Sequence, residues 1–289
     1  MRDEVRDAGR ISETAIAAAL AAGAHALRGF RSPELESTRK SDMHDLVTAY
    51  DGECEALIRS RLLEAFPDSS IVGEEAGEHA GTGPLTWYVD PIDGTSNYAR
   101  GIAMWAISIA AECDGELVTG VIYDPVADQL FWADRRGAFL RSQASGADAR
   151  DIRLHALAAT DPSGATVALN FPLARDLVHF PELALEQFAR VTRSFAQVRG
   201  LGSTCIALAW IAAGWIDVTI SFETNPWDVA AGAYLIRQAG GVFHGYDEGM
   251  TVPTERSHLA PHYYAAGAGG EYELLHGIMQ TQSRRGGVR

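Results

Sequence analysis

One segment constrains the fold more than any other: an apolar strand that runs directly into two closely spaced aspartates. Residues 87–95 are WYVDPIDGT, in which Asp90 and Asp93 are separated by two residues. The aromatic and β-branched residues predict a strand, Pro91 fixes the backbone, and Gly94 permits a sharp turn. Two carboxylates three positions apart on a stiff turn can converge on one point. The segment therefore predicts a strand that ends in an acidic site.

This acidic turn needs a compensating charge. Two ionised carboxylates at close range repel each other, so that one of them would take up a proton. A hard divalent cation removes the repulsion, and oxygen ligands suit Mg²⁺ or Mn²⁺. The N–H groups of Gly94 and Thr95 at a helix start would also attract an anion. The alternative is an ordinary Asx-type turn, because Asp-Gly is a common turn pair. The complete string DPIDGT after an apolar strand favours the metal site.

Two further acidic segments could also contribute metal ligands. Glu74 and Glu75 come at the end of a predicted strand, and Asp228 lies in the first turn of a helix that begins at Pro226. Adjacent glutamates point apart, so at most one of the two is expected to be a metal ligand. Each position also has a plain structural explanation, namely a solvated loop for the glutamates and a favourable helix dipole for Asp228.

The order of predicted elements indicates an α/β protein. The first half (1–145) reads as α+β, with helices over 11–30 and 48–66 and an antiparallel meander between 105 and 140. The segment ESTRKSDMHD, residues 36–45, reads as a surface loop.

The second half (146–289) reads as α/β, because strands and helices alternate there. One continuous helix is predicted from Arg175 to about Phe195, and a helix from Pro226 ends at Gly240-Gly241. VFHGY, residues 242–246, is predicted as the last strand before a mostly irregular tail.

The composition excludes several classes of protein. The chain of 289 residues has 24 Lys+Arg and 38 Asp+Glu, and 24 − 38 gives a net charge of −14. Nucleic acid and anionic membranes are therefore not expected as partners, because both would be repelled. We expect neither a secretory signal nor a membrane span, and the three widely spaced cysteines suit a reducing cytoplasm.

Several ordered motifs together resemble one family. Lys40 precedes DLVTAYD, GEE and WYVDPIDGTSNY follow, and GLGST and PWDVAAG come late in the chain. In order and spacing these resemble the inositol monophosphatase family, within the Mg²⁺-dependent, lithium-sensitive phosphatase superfamily. The resemblance covers about residues 10–245. It implies a layered αβαβα fold and a homodimer, and it implies inhibition by lithium.

The resemblance also implies roles for individual residues. Glu74, Asp90 and the Ile92 carbonyl would hold a first Mg²⁺, and Asp90, Asp93 and Asp228 a second, with Glu74 helping a weaker third through water. Thr95 and Glu74 would activate the attacking water. The N–H groups of Gly94 and Thr95 would hold the phosphate, with Lys40 on a loop nearby. The implied reaction is in-line attack of water on a phosphate monoester, which releases an alcohol and inorganic phosphate.

The expected substrate is a small phosphorylated polyol, with inositol monophosphate first. Gly202, Ser203 and Thr204 match the family's substrate-pocket segment. Where inositol phosphatases carry a glutamate for a substrate hydroxyl, this chain has Ser221, and Glu223 two positions on could face the same side of a strand. Fructose 1,6-bisphosphate, 3′-phosphoadenosine nucleotides and histidinol phosphate stay open as substrates, and a non-catalytic metal-binding regulator is the alternative from another class.

Overall fold

The computed structural model describes residues 2–33, 35, 37–39, 46–144, 146 and 149–284. Within these residues the helices are α1 (Arg2–Gly29), α2 (Ala49–Ala65), α3 (Thr95–Ala99), α4 (Ala174–His179), α5 (Pro181–Ser194), α6 (Thr204–Ala212), α7 (Pro226–Gln238) and α8 (Glu273–Ser283). The strands that precede residue 160 are β1 (Ser37–Arg39), β2 (Leu46–Thr48), β3 (Ser70–Gly73), β4 (Gly77–His79), β5 (Leu85–Asp93), β6 (Ala106–Cys113), β7 (Glu116–Asp124), β8 (Gln129–Asp134), β9 (Gly137–Ser142) and β10 (Arg150–Arg153). The later strands are β11 (Thr166–Leu169), β12 (Gln197–Arg199), β13 (Val218–Phe222), β14 (Val242–Asp247), β15 (Met250–Thr251) and β16 (His262–Ala266).

The larger sheet carries the start of the acidic site. In the described chain it has the strand order β10-β9-β8-β7-β6-β5-β3-β4. β6 to β9 form the antiparallel meander that the sequence predicts between 105 and 140, β5 and β10 extend it at either side, and β3 and β5 are parallel. One face packs against α1 and α2 through apolar residues that include Ile58, Trp87 and Val89. The other face packs against α6 and α7, through residues that include Tyr88 and Ile122.

The second sheet closes the layer of α6 and α7 from the other side. Its strand order in the described chain is β12-β11-β13-β16-β14-β15. Tyr263 and Ala265 of β16 face α6 and α7, whereas Ile220 and Tyr264 face α5 and α8 in a separate core. The layers therefore run helix, sheet, helix, sheet, helix, which confirms the predicted αβαβα architecture.

The prediction of one helix over 175–195 was wrong, because the chain forms two helices there. Phe180 N donates to Asp176 O at 2.8 Å and closes α4, and Pro181 is the first residue of α5. A proline within a helix lacks the N–H for the backbone ladder and clashes with the preceding turn, but it is well tolerated at a helix start.

The prediction of an irregular tail was also wrong. β16 lies inside the second sheet between β13 and β14, and α8 covers that sheet with Leu275, Ile278 and Met279. Within the predicted loop over 36–45, residues 37–39 form β1, which pairs with β2 after the loop, and residues 36 and 40–45 lie outside the described residues. The division of the chain at residue 145 stays a prediction. Every helix in the described chain is too short or too polar to traverse a membrane.

Candidate active site

Strand β5 ends in the acidic turn, which lies beside the layer of α6 and α7. Successive side chains of a strand point to opposite faces. Trp87 and Val89 pack against α1 and α2, so Tyr88 and Asp90 face the other way. The pairing of β5 with β6 is irregular between Asp90 and Asp93, where the strand bulges. The bulge re-aims the chain so that Asp93 also reaches α6, and both aspartates are buried.

The start of α6 holds the Asp93 carboxylate. Cys205 N donates to Asp93 Oδ2 at 2.9 Å, Thr204 N donates to Oδ1 at 3.2 Å, and the Ser203 hydroxyl also donates to Oδ2. Ser203 is in addition the N-cap of α6, where its Oγ accepts from Ile206 N at 3.2 Å. Two residues that the resemblance assigns to the substrate pocket, Ser203 and Thr204, thus contact Asp93 directly.

The turn after Asp93 requires a glycine. Gly94 has φ +91°, and a Cβ there would lie 3.0 Å from the Met104 carbonyl oxygen and 3.2 Å from that of Gly202. The Asn97 side chain fastens the same region, because its Nδ2 donates to Met104 O at 2.7 Å and to Leu201 O at 2.9 Å. The DPIDGT turn and the 200–204 segment are therefore joined, although they are about a hundred residues apart in sequence.

Glu74 and Asp228 complete the cluster from two other elements. Glu74 follows β3, and its N–H donates to Val89 O of β5 at 3.2 Å. Asp228 is in the first turn of α7, where its Oδ2 accepts from Asn225 N at 2.7 Å. Both side chains are half-buried. The structure thus brings together the four carboxylates that the sequence predicts as metal ligands.

Burial is the main cause that raises the pKa values of three of these carboxyls, those of Asp90, Asp93 and Asp228. Burial, followed by the negative charges of Glu74, Asp93 and Asp228, raises the pKa of Asp90 well above its usual range. Burial also raises the pKa of Asp228 to about 7 and that of Asp93 to about 6, and the donors from α6 offset part of the Asp93 shift. The negative charges of neighbouring carboxylates therefore act on Asp90 and on Asp228 at this site.

A soft ligand atom also borders the cluster. The Cys205 Sγ lies within 4.8 Å of ligand oxygens of Asp90 and Asp93, and it contacts Asp228 O at 3.2 Å. Burial, followed by the charges of Asp93 and Asp90, raises the pKa of this thiol well above its usual range. Cys205 is one of the three widely spaced cysteines, and no spacing signal in the sequence connects it to the aspartates.

Thr95 has a partner that the sequence analysis also missed. Its Oγ1 lies 3.0 Å from Asp51 Oδ1 and 2.9 Å from Ile92 O. The Asp51 carboxylate is fully buried and accepts from Thr48 N at 2.7 Å and Thr48 Oγ1 at 2.6 Å. Asp51 is the last residue of the DLVTAYD motif, and that position was the available signal. The link to Thr95 spans 44 residues and needs the fold to become visible.

Ser221 and Glu223, the two residues expected near the substrate, lie in different environments. Ser221 pairs with Tyr263 across β13 and β16, and Tyr263 faces the layer of α6 and α7, so Ser221 lies on that face. Glu223 comes after the end of β13 with φ +56°, and its side chain is exposed. Its N–H donates to His262 Nδ1 at 3.1 Å. The strand alternation that would place Glu223 beside Ser221 therefore ends before Glu223. Lys40 lies outside the described residues.

Comparison with known proteins gives a consistent result. Residues 7–284 match the profile of the inositol monophosphatase family. The Nus factor SuhB of Salmonella typhimurium is 31% identical over 236 residues, which cover 81% of this chain and 85% of that protein.

Solved structures share the fold. The extragenic suppressor protein suhB from Bartonella henselae superposes with a TM-score of 0.77 at 28% identity, covering 96% of this chain and 99% of the other. The inositol monophosphatase from Anabaena gives 0.69 at 28% identity over 94% of each chain. An IMPase/NADP phosphatase complexed with Mg²⁺ and phosphate gives 0.69 over 84% of this chain and 85% of that one, and at 21% identity it shows the common fold.

The five-layer α/β fold is thus the one that these structures define. With the profile match over nearly its whole length, the chain belongs to the inositol monophosphatase family.

Proposed function

We propose that this protein is a Mg²⁺-dependent phosphomonoesterase that hydrolyses a small phosphorylated polyol, with inositol monophosphate as the first candidate. The carrying observation is the cluster of Glu74, Asp90, Asp93 and Asp228, in which repulsion from its neighbours adds to burial in raising the pKa of Asp90. A divalent cation would remove that repulsion, and the cation would also attract an anionic substrate to a chain of net charge −14.

The donor set fits Mg²⁺, with Mn²⁺ as a second possibility. Carboxylate and carbonyl oxygens are the hard ligands that these ions prefer. Glu74, Asp90 and the Ile92 carbonyl would hold one ion, and Asp90, Asp93 and Asp228 a second, with a weaker third near Glu74. The Ile92 oxygen already contacts the Thr95 hydroxyl, but a carbonyl has a second lone pair for a metal. When bound, the ions would stabilise charge on the phosphoryl oxygens and on the attacking water.

The residues of the chain would orient that water. The Thr95 hydroxyl donates a hydrogen bond to Asp51 Oδ1, which leaves a lone pair of Thr95 Oγ1 to accept a hydrogen bond from water. The Glu74 carboxylate would accept a second hydrogen bond from this water and then receive its proton. Backbone N–H groups of Gly94 and Thr95, assisted by Lys40, would hold the phosphate. Proton removal and alignment are thereby divided between Glu74 and Thr95.

Removing the Thr95 hydroxyl tests this division. Thr95→Ala is expected to lower kcat by about 10²-fold, because the water loses one of its two orienting partners, while KM changes less. Asp51→Asn should act in the same direction through Thr95. Thr95→Ser keeps the hydroxyl and serves as the matched control, with most of the activity retained. Steady-state kinetics at saturating Mg²⁺ measure all three, and near-normal activity of Thr95→Ala would contradict the assigned role.

Substrate choice depends on the wall that Ser221 forms. A serine is shorter than the glutamate that the family resemblance leads one to expect, and it carries no charge. The wall can still hydrogen-bond a hydroxyl, but it imposes less selection for one polyol. We therefore propose activity on a range of small polyol phosphates, with fructose 1,6-bisphosphate, histidinol phosphate and 3′-phosphoadenosine nucleotides as alternatives to inositol monophosphate.

A phosphate-release panel over these substrates is the direct test. Release is expected with Mg²⁺, absent after chelation, restored when Mg²⁺ is added back, and inhibited by lithium. Failure to release phosphate from every compound would overturn the enzymatic proposal. It would favour the alternative of a non-catalytic metal-binding regulator.

A further inference from the structure

One row of polar residues on α2 contacts Thr95 and also the turn that carries Glu74, the two residues that would orient the water. Asp51, Glu55 and Arg59 are spaced four residues apart, so they share one side of the helix. Asp51 contacts Thr95, as described above. We propose that Glu55, held by Arg59, is the positioning residue for the turn that carries Glu74. This inference rests on the proposed function, because it assigns Glu55 a role through a metal ligand of that site.

Glu55 is a buried carboxylate whose two oxygens accept hydrogen bonds from the backbone of this turn. Its side chain is 1% exposed. Glu55 Oε2 accepts from Glu75 N at 2.7 Å, and Oε1 accepts from Ala76 N at 3.1 Å. These are the two peptide N–H groups that directly follow Glu74. A carboxylate that accepts backbone N–H groups forms charge-assisted hydrogen bonds, which are stronger than neutral ones.

Arg59 completes the attachment. Its Nη1 lies 3.2 Å from Glu55 Oε1 and donates to Gly77 O at 3.0 Å. Gly73 allows the close approach on the other side, because a Cβ there would lie 2.4 Å from Glu55 Oε1. The turn is thus fastened at consecutive peptides: Glu74 N to β5, the next two N–H groups to Glu55, and Gly77 O to Arg59.

The consequence is that a single helix sets both residues that would orient the water. Asp51 fixes the Thr95 hydroxyl, and Glu55, one helical turn further on, fixes the peptides beside Glu74. A displacement of about 1 Å at such a site can cost about 10²-fold in rate. Partners of metal ligands commonly change metal affinity by about 10–100-fold when they are removed. The expected effect of losing Glu55 is therefore weaker metal binding as well as slower turnover.

The test uses Glu55→Gln in the full chain, with isothermal titration of MnCl₂ alone into the metal-free protein. Glutamine keeps the shape but offers one acceptor oxygen where the two N–H groups need two. We expect Mn²⁺ affinity to fall about tenfold, and the Mg²⁺ concentration for half-maximal activity to rise in proportion. Arg59→Lys keeps the charge but not the planar fork, so it should shift both values in the same direction by less.

Asp124→Asn is the matched control. Asp124 is also a buried carboxylate that accepts two consecutive N–H groups, those of Val126 at 2.9 Å and Ala127 at 3.0 Å, but it lies in the β7–β8 turn. Both N–H groups bond Oδ1, which asparagine keeps, so this variant should stay folded and its Mn²⁺ affinity should not change.

Unchanged Mn²⁺ affinity in Glu55→Gln would overturn the inference, and so would an equal loss in Asp124→Asn. If Glu55→Gln does not fold, the same criteria apply to Arg59→Lys. A wild-type protein that binds neither Mn²⁺ nor Mg²⁺ would instead overturn the proposed function.

Discussion

Asp93→Asn is expected to abolish turnover, with kcat lower by about 10³-fold, because loss of one metal ligand removes several kcal/mol of charge stabilisation. Asp93 is proposed to hold the second ion together with Asp90 and Asp228. An asparagine offers a neutral oxygen there, and the amide group that replaces Oδ1 or Oδ2 cannot bind a cation. Titration of Mn²⁺ into the variant should therefore also show fewer bound ions than in the wild type.

The same variant is expected to stay folded. The asparagine oxygen can still accept from Ser203 Oγ and Cys205 N, so that only the bond from Thr204 N is lost. Such a loss costs about 1 kcal/mol, and relief of repulsion with Asp90 offsets part of it.

The control for Asp93→Asn is Asp217→Asn. The Asp217 carboxylate likewise accepts backbone N–H groups, from Ala159 and Thr166, each at 2.7 Å, but it lies outside the acidic cluster. It should keep its kcat. Near-normal activity of Asp93→Asn, or an equal loss in Asp217→Asn, would refute the second-ion assignment.

Local sequence patterns predicted the parts of the site that are encoded locally. The apolar run before Asp90 predicted β5, Pro226 predicted the start of α7, and Gly94 predicted the sharp turn. The contacts of Asp51 and Glu55 could not be predicted in this way. Asp51 ends the DLVTAYD motif, but nothing in the α2 segment itself shows which residues Asp51 and Glu55 contact. Asp51 contacts Thr95, 44 residues away in sequence, and Glu55 contacts Glu75, 20 residues away, so only the fold brings these pairs together.

The errors in the fold have different physical causes. Periodicity alone joined α4 to α5, although Pro181 cannot continue a helix. The strand β16 was missed because its register with β13 and β14 depends on partners far along the chain. Tertiary contacts decided the case of β16, whereas the break between α4 and α5 has a local signal in Pro181.

The metal-free protein is expected to lose stability as the pH rises from about 4 to about 7, and Mg²⁺ is expected to restore it. Unfolded aspartates titrate near pH 3.9. Burial raises the pKa of Asp93 to about 6 and that of Asp228 to about 7 in the folded state, and burial together with neighbouring charges raises the pKa of Asp90 well above its usual range. The folded protein therefore keeps protons that the unfolded chain has released. This stabilisation is complete below the unfolded pKa and is lost as the pH rises through the folded values.

The size of the effect follows from the shifts. One pKa unit corresponds to about 1.4 kcal/mol. The ionisation of Asp93 and Asp228 should therefore lower the free energy of unfolding by an amount on the order of several kcal/mol. Urea unfolding at pH 5 and pH 8, in EDTA and in Mg²⁺, measures it. Burial lowers the pKa of His258, which makes stability rise with pH, but His258 should affect both conditions equally. The difference between the two conditions thus isolates the acidic cluster, and it should be larger at pH 8. Equal Mg²⁺ stabilisation at both values would mean that the cluster does not bind the cation with its carboxylates ionised.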